Sequence, residues 1–163
     1  MATASPHSTL QDELKLIGCL IDLMRQEQQF LVVANTDGLQ TLTPLKTQLI
    51  EQLAVCAAQR HASLAADGFA SSEVGMEAWL VRRANAATSS AWQLLLERTR
   101  EAKELNRVNG MLINKQMTNN LTLLNAMRAP AGATDSSVYG PSGQTSSVTG
   151  KPVSYTHLRA HET

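Results

Sequence analysis

The sequence predicts an all-α protein, an antiparallel up-and-down bundle of three or four long helices with a disordered C-terminal tail. Apolar residues recur every three or four positions from Leu10 to Met127, which is the spacing of one helix face. Only 4% of the 163 residues are aromatic, which favours aliphatic helix packing over a sheet. Residues 9–128 contain one proline, whereas residues 129–163 contain three of the five prolines and four of the nine glycines. The chain therefore divides into a helical body, residues 1–128, and a tail.

The first helix is predicted to begin at Ser8, which has the spacing of a capping box with Gln11. Residues 35–38 (NTDG) are predicted to end it, because Asn or Gly readily takes the left-handed conformation at a helix C-terminus. Between these points the spacing of apolar residues alternates between three and four. This seam consists of Leu10, Leu14, Ile17, Ile21, Met24 and Leu31, with Gln28 as its polar member.

The second helix is predicted to begin at Thr43, with Pro44 in the first helical position, where a missing N–H costs nothing. Residues 67–68 (DG) are predicted to end it. The spacing of its apolar residues predicts an inner face made of Leu45, Leu49, Leu53 and Cys56.

A further helical stretch is predicted from Ser72, and the longest one covers residues 89–128. Trp79 and Trp92 are predicted to be core anchors between helices. The sequence leaves open whether the chain breaks near residues 85–89. At 1.5 Å per residue the first two helices span about 36–39 Å, so a continuous last helix of about 40 residues must extend beyond them.

Composition argues against several classes of protein. Lys and Arg number 14, as do Asp and Glu, so the chain lacks the basic excess of a nucleic-acid binder. No apolar run approaches the roughly 18–20 residues that span a bilayer, and the first residues do not resemble a secretory signal, so we expect no membrane insertion. Cys19 and Cys56 have no CxxC or histidine partner and are predicted to be buried, reduced thiols of a cytoplasmic protein.

The sequence offers no catalytic motif. It contains no H-E-x-x-H, G-x-S-x-G or P-loop pattern, and His7 and His61 are isolated. His157 and His161 have the spacing of two ligands on one helical face, but they fall in the tail without a third ligand. We therefore expect no enzyme, no metal site and no cofactor.

The apolar stripe of the last helix allows two interpretations. Its first part, residues 105–113, is equally compatible with packing against the first two helices and with contact to a partner. Its second part lies in the predicted overhang, where an exposed apolar stripe usually marks a binding surface. A partner is therefore favoured for Met117, Leu121, Leu124 and Met127.

Two short motifs resemble the FlgN family of flagellar export chaperones. The first is residues 105–113 (LNRVNGMLI), followed by Asn120 and Leu124. The second is residues 138–145 (VYGPSGQT), similar to the tyrosine-glycine-x-x-glycine-glutamine-threonine element of the family's tail. Their order and spacing carry the resemblance, which covers roughly residues 9–150.

The resemblance implies a cytoplasmic, non-enzymatic, all-helical chaperone that binds the hook–filament junction proteins FlgK and FlgL before flagellar type III export. By position, the substrate-protein face would comprise Leu105, Val108, Leu112, Met117, Leu121 and Leu124. The flexible tail, residues 129–152, would dock through its motif on the export gate protein FlhA. The docking residues would be Tyr139, Gly140, Gly143 and Gln144.

Residues 153–163 do not resemble the family and are interpreted as a non-native extension. A competing hypothesis is a structural coiled-coil adaptor or homodimer, in which the last helix pairs with itself and has no export role. The preference between FlgK and FlgL and the free oligomeric state stay open at this point.

Overall fold

The computed structural model describes residues 4–129, and this part of the chain consists of four α-helices without any strand. The helices are α1 (Leu10–Val32), α2 (Thr36–Ala66), α3 (Glu73–Arg83) and α4 (Ala86–Arg128). The predicted all-α class is confirmed. Three helices are long, whereas α3 has only 11 residues. The tail motif and residues 153–163 lie outside the described residues.

The long helices run up, down and up. Glu13 and Glu27 of α1 meet Arg60 and Lys46 of α2, in reversed order, so α1 and α2 are antiparallel. Farther along, α4 follows the direction of α1, because Asn109 bonds to Met24 and Gln116 bonds to Leu31. Both α2 and α4 pack mainly against α1, and α3 reverses the chain between them.

The core forms around the predicted α1 seam. Leu10, Ile17 and Ile21 are buried, and Trp79 and Trp92 are buried as predicted. The α2 face was predicted less well: Leu49 and Leu53 pack against the core, but Leu45 is exposed. The buried apolar residues of α2 are instead Leu42 and Leu64, one near each end of the helix.

The predicted boundary between α1 and α2 is wrong. Residues 35–38 do not end α1 but start α2, because the Asn35 side chain accepts a 3.0 Å hydrogen bond from the N–H of Gly38. An Asn before a helix can cap its N-terminus as readily as it ends the preceding helix. Consequently Pro44 lies inside α2 rather than at its start. Pro44 and Gln40 are both exposed, so water can reach the carbonyl of Gln40, which lacks its usual N–H donor.

Other helix ends follow the sequence more closely. The first helix begins at Leu10 rather than Ser8, and the predicted capping box is not formed, since the Thr9 hydroxyl bonds to Glu13. Gly68 after α2 has a φ of +82°, which glycine adopts without strain. The open question near residues 85–89 is resolved as a break before Ala86, with the Asn85 side chain accepting from the N–H of Thr88 at 2.9 Å.

The prediction that both cysteines are buried is wrong for Cys19, which is exposed on α1. Cys56 is half-buried on α2. Burial raises the pKa of the Cys56 thiol, and the nearby carboxylates of Glu13 and Asp12 raise it further.

Candidate partner-binding surface

The family-like motif in α4 contains a buried asparagine that anchors the helix. Asn109 is only 1% exposed, and its side-chain amide donates to the carbonyl of Met24 and to Oε1 of Glu27, both at 2.8 Å. Its side-chain oxygen has no hydrogen-bond partner among the described residues. Since a buried amide is satisfied only where its partners lie, Asn109 fixes the register of α4 against α1.

Lys46 of α2 links a second asparagine of the motif, Asn106 of α4, to the same network. Lys46 donates to both oxygens of Glu27, at 3.1 and 3.3 Å, and to the side-chain oxygen of Asn106 at 2.9 Å. Glu27 thereby links α1, α2 and α4. This network could not be predicted from the sequence, because 82 residues separate Asn109 from Glu27 and no local pattern pairs them. Its local signal is a charged residue, Glu27, one position before the polar member of the α1 seam.

Beyond Gln116, α4 leaves the body. The Gln116 side chain donates to the carbonyl of Leu31 in the last turn of α1. Every residue from 117 to 129 is exposed. The 12 residues from 117 to 128 extend about 18 Å past the end of α1. The overhang expected from helix lengths is therefore present.

The six residues predicted for the substrate-protein face do not share one face of α4. Leu105 packs against the core, and Val108 and Leu112 line an open depression of about 490 Å³ beside the exposed side chains of Val32 and Val33. Leu112 and Met117 are separated by about 140° around the helix axis. Met117, Leu121 and Leu124 thus form a separate surface.

Ile113, one turn before Met117, belongs to the same surface. We call the surface formed by Ile113, Met117, Leu121 and Leu124 the distal stripe. Its side chains lie within about 40° of Met117 around the helix axis. Met117 and Leu121 are each 59% exposed and Leu124 is 46% exposed, although these residue types are normally buried.

The second part of α4 is basic. After Glu104, α4 carries Arg107, Lys115 and Arg128 and no carboxylate. Glu104 and Arg107 form a hydrogen-bonded ion pair at 2.7 Å, and this bond lowers the pKa of the Glu104 carboxyl. Lys115 and Arg128 form no ion pair within residues 4–129.

The tail residues predicted for gate docking, Tyr139, Gly140, Gly143 and Gln144, lie outside the described residues. Within the described part of the chain no three His, Cys, Asp or Glu side chains converge as metal ligands. None of the four helices combines the length and the hydropathy needed to cross a bilayer.

The fold and this surface define a class of protein: a small helical bundle in which the last helix extends past the first and leaves its apolar side exposed. The family model described as "FlgN protein" matches residues 1–147, and the chain belongs to the FlgN family. Two relatives are named "Flagella synthesis protein FlgN", one from Salmonella typhimurium and one from Salmonella typhi. Each is 29% identical over 141 residues, covering 85% of this chain and 84% of the relative. No solved structure matches the chain.

Proposed function

We propose that this chain is a cytoplasmic export chaperone that binds the hook–filament junction proteins FlgK and FlgL and delivers them to the export gate protein FlhA. Family membership supports a chaperone role in flagellar synthesis. The observation that carries the proposal is the overhang of α4, whose Met117, Leu121 and Leu124 are exposed. A helix of the substrate protein would cover these side chains and so be kept from associating too early.

The mechanism is reversible holding without a chemical step. Apolar burial contributes about 25 cal/mol per Å² of buried surface, which favours the complex. Ordering a disordered substrate segment costs about 2–5 kcal/mol, which keeps the complex weak enough to release its cargo. Leu105, Val108 and Leu112 lie on another side of α4, so a straight substrate helix that covers Met117, Leu121 and Leu124 would not contact them.

A co-expression pull-down tests substrate binding. We expect the double variant Leu121→Asp with Leu124→Asp to lose FlgK and FlgL, because two carboxylates cannot be buried against an apolar helix. Its circular dichroism should remain that of the unaltered chain, since both side chains are exposed. The matched control is Val74→Asp with Val81→Asp, two exposed apolar residues of α3. Undiminished capture by the α4 variant would overturn the substrate-face proposal.

Gate docking is tested separately in the tail. Tyr139→Ala should keep FlgK and FlgL binding but weaken binding to FlhA, because a tyrosine outside the bundle offers an amphipathic anchor for a partner's pocket. Tyr155→Ala, in the extension interpreted as non-native, is the control and should bind FlhA normally. Identical titration curves for the Tyr139 variant and the unaltered chain would contradict the docking role.

A further inference from the structure

We propose that the partner of this chain supplies an acidic amphipathic helix, and that this helix lies on the α2-facing side of α4, as the fourth helix of the bundle. The inference rests on the proposed function in one respect, that α4 binds a partner. It adds which face of α4 is used, how far the contact reaches into the body, and the charge of the partner helix.

The distal stripe continues a groove in the body. Between α2 and α4 a shallow groove of about 250 Å³ lies over Ile17, Leu20 and Met24 of α1. Its α2 side includes Ile50, which is exposed although it is apolar. We call this groove between the two helices the α2–α4 groove. Because α2 and α4 both pack on α1, the space above α1 between them is open to a fourth helix.

The α4 wall of this groove and the distal stripe are one face of one helix. Thr99, Lys103 and Asn106 line the groove. On a regular helix these three residues lie within about 40° of Met117, as do the residues of the distal stripe. The combined face runs about 38 Å from Thr99 to Leu124. A partner helix of about 25 residues could therefore contact the body and the overhang without bending.

Gly110 lies in the middle of this face. A Cβ added at Gly110 would meet no atom within 4 Å, so neither a turn nor a close contact inside the chain requires glycine. Gly75, by contrast, would place a Cβ 1.8 Å from the carbonyl oxygen of Ala70. Glycine weakens a helix interior, and its absent side chain allows another helix to approach closely. Position 110 is thus suited to close contact with the partner helix.

Charge selects among the possible occupants. Lys103 and Arg128 lie on this face, within about 40° of Met117 around the helix axis, and neither forms an ion pair within residues 4–129. No carboxylate follows Glu104 in α4. A second copy of this chain would place the same basic residues against one another, which opposes self-association. The segment after Ala129 has Asp135 and Glu162 against Lys151 and Arg159, so it brings no net negative charge. A separate helix flanked by Glu or Asp fits this face best.

Two substitutions of equal chemistry distinguish the faces of α4. Leu121 and Leu123 are 59% and 60% exposed, but their side chains point about 160° apart. With FlgK or FlgL as ligand, Leu121→Asp should weaken binding by about tenfold or more, whereas Leu123→Asp should change it by less than about twofold. The reverse pattern, or equal losses, would overturn the assignment of the face.

Synthetic peptides test the charge of the partner without relying on FlgK or FlgL. The full chain is titrated with a 25-residue helical peptide carrying a leucine heptad stripe flanked by Glu, and with the same peptide carrying Lys. We expect the Glu peptide alone to bind, with weaker binding at high salt and in Lys103→Glu with Arg128→Glu. Equal binding of both peptides, or binding of the Lys peptide alone, would refute the charge assignment.

The two sets of results separate the proposals. If the unaltered chain captures neither FlgK nor FlgL but binds the Glu peptide with loss in Leu121→Asp, the proposed cargo is wrong and the surface is right. If FlgK or FlgL binds the unaltered chain and binds the Leu121→Asp variant equally well, the proposed function holds and the proposed surface is wrong. If the chain self-associates through α4 instead, both the charge argument and the partner helix are wrong.

Discussion

Glu13 of α1 and Arg60 of α2 form a buried ion pair between the two helices. Nε and Nη2 of Arg60 donate to the two oxygens of Glu13, each at 3.1 Å, and the Thr9 hydroxyl donates to Oε1 of Glu13 at 2.7 Å. The guanidinium carbon lies 4.9 Å from the ring centre of Trp92. Both charged side chains are buried. The pair therefore joins α1 to α2 at the end of the bundle opposite the overhang.

Removing one charge of this pair should be far worse than removing both. Arg60→Met is expected to lower the free energy of unfolding by about 3–5 kcal/mol, because Glu13 stays buried without its partner. Glu13→Leu combined with Arg60→Met should recover most of that loss. Urea unfolding of the two variants measures the difference. A double variant no more stable than Arg60→Met would contradict the buried-pair account.

At the scale of the element, α4 combines a firmly anchored first part with an unsupported second part. Asn109 and Gln116 hold it against α1, whereas the overhang is helical with every residue exposed. Asn106, Asn109 and Gly110 come from one short motif but differ in role. The two asparagines face the body, and Gly110 makes no contact that requires glycine.

Replacing Gly110 with Ala separates stability from binding. In the free chain Gly110→Ala should raise the free energy of unfolding by up to about 1 kcal/mol, because Ala has the higher helix propensity and its Cβ meets no atom. The same variant should bind FlgK and FlgL more weakly. Gly18→Ala in α1, where a Cβ also meets no atom, is the control and should stabilise without weakening binding. Thermal unfolding and titration of both variants test this, and full binding by Gly110→Ala would contradict the close contact.

At the scale of the whole molecule, the helical class and the overhang could be predicted from apolar spacing and helix length. The α1–α2 boundary could not, because the capping signals of Asn35 and of Thr43 with Pro44 compete locally, and packing decides between them. The candidate site was predicted only in part. Spacing every three or four residues identified an apolar helix but did not separate the α1-facing residues from the distal stripe, which requires the position of α1.

The polar contacts between helices could not be predicted from the sequence for a related reason. Glu13 with Arg60 and Glu27 with Lys46 are separated by 47 and 19 residues, and no local pattern pairs them. Each pair is recognisable only once α1 and α2 are known to be antiparallel. The tertiary arrangement thus determines which charged residues are structural and leaves the basic residues of α4 available to a partner.

In the proposed function, the end of α4 binds a separate flagellar protein. Light scattering during size-exclusion chromatography, first of the chain alone and then with FlgK or FlgL, tests it most directly. We expect a monomer alone and a one-to-one complex with either partner, and no complex for Leu121→Asp with Leu124→Asp. A stable homodimer that neither FlgK nor FlgL alters would contradict the claim and favour a structural coiled-coil adaptor.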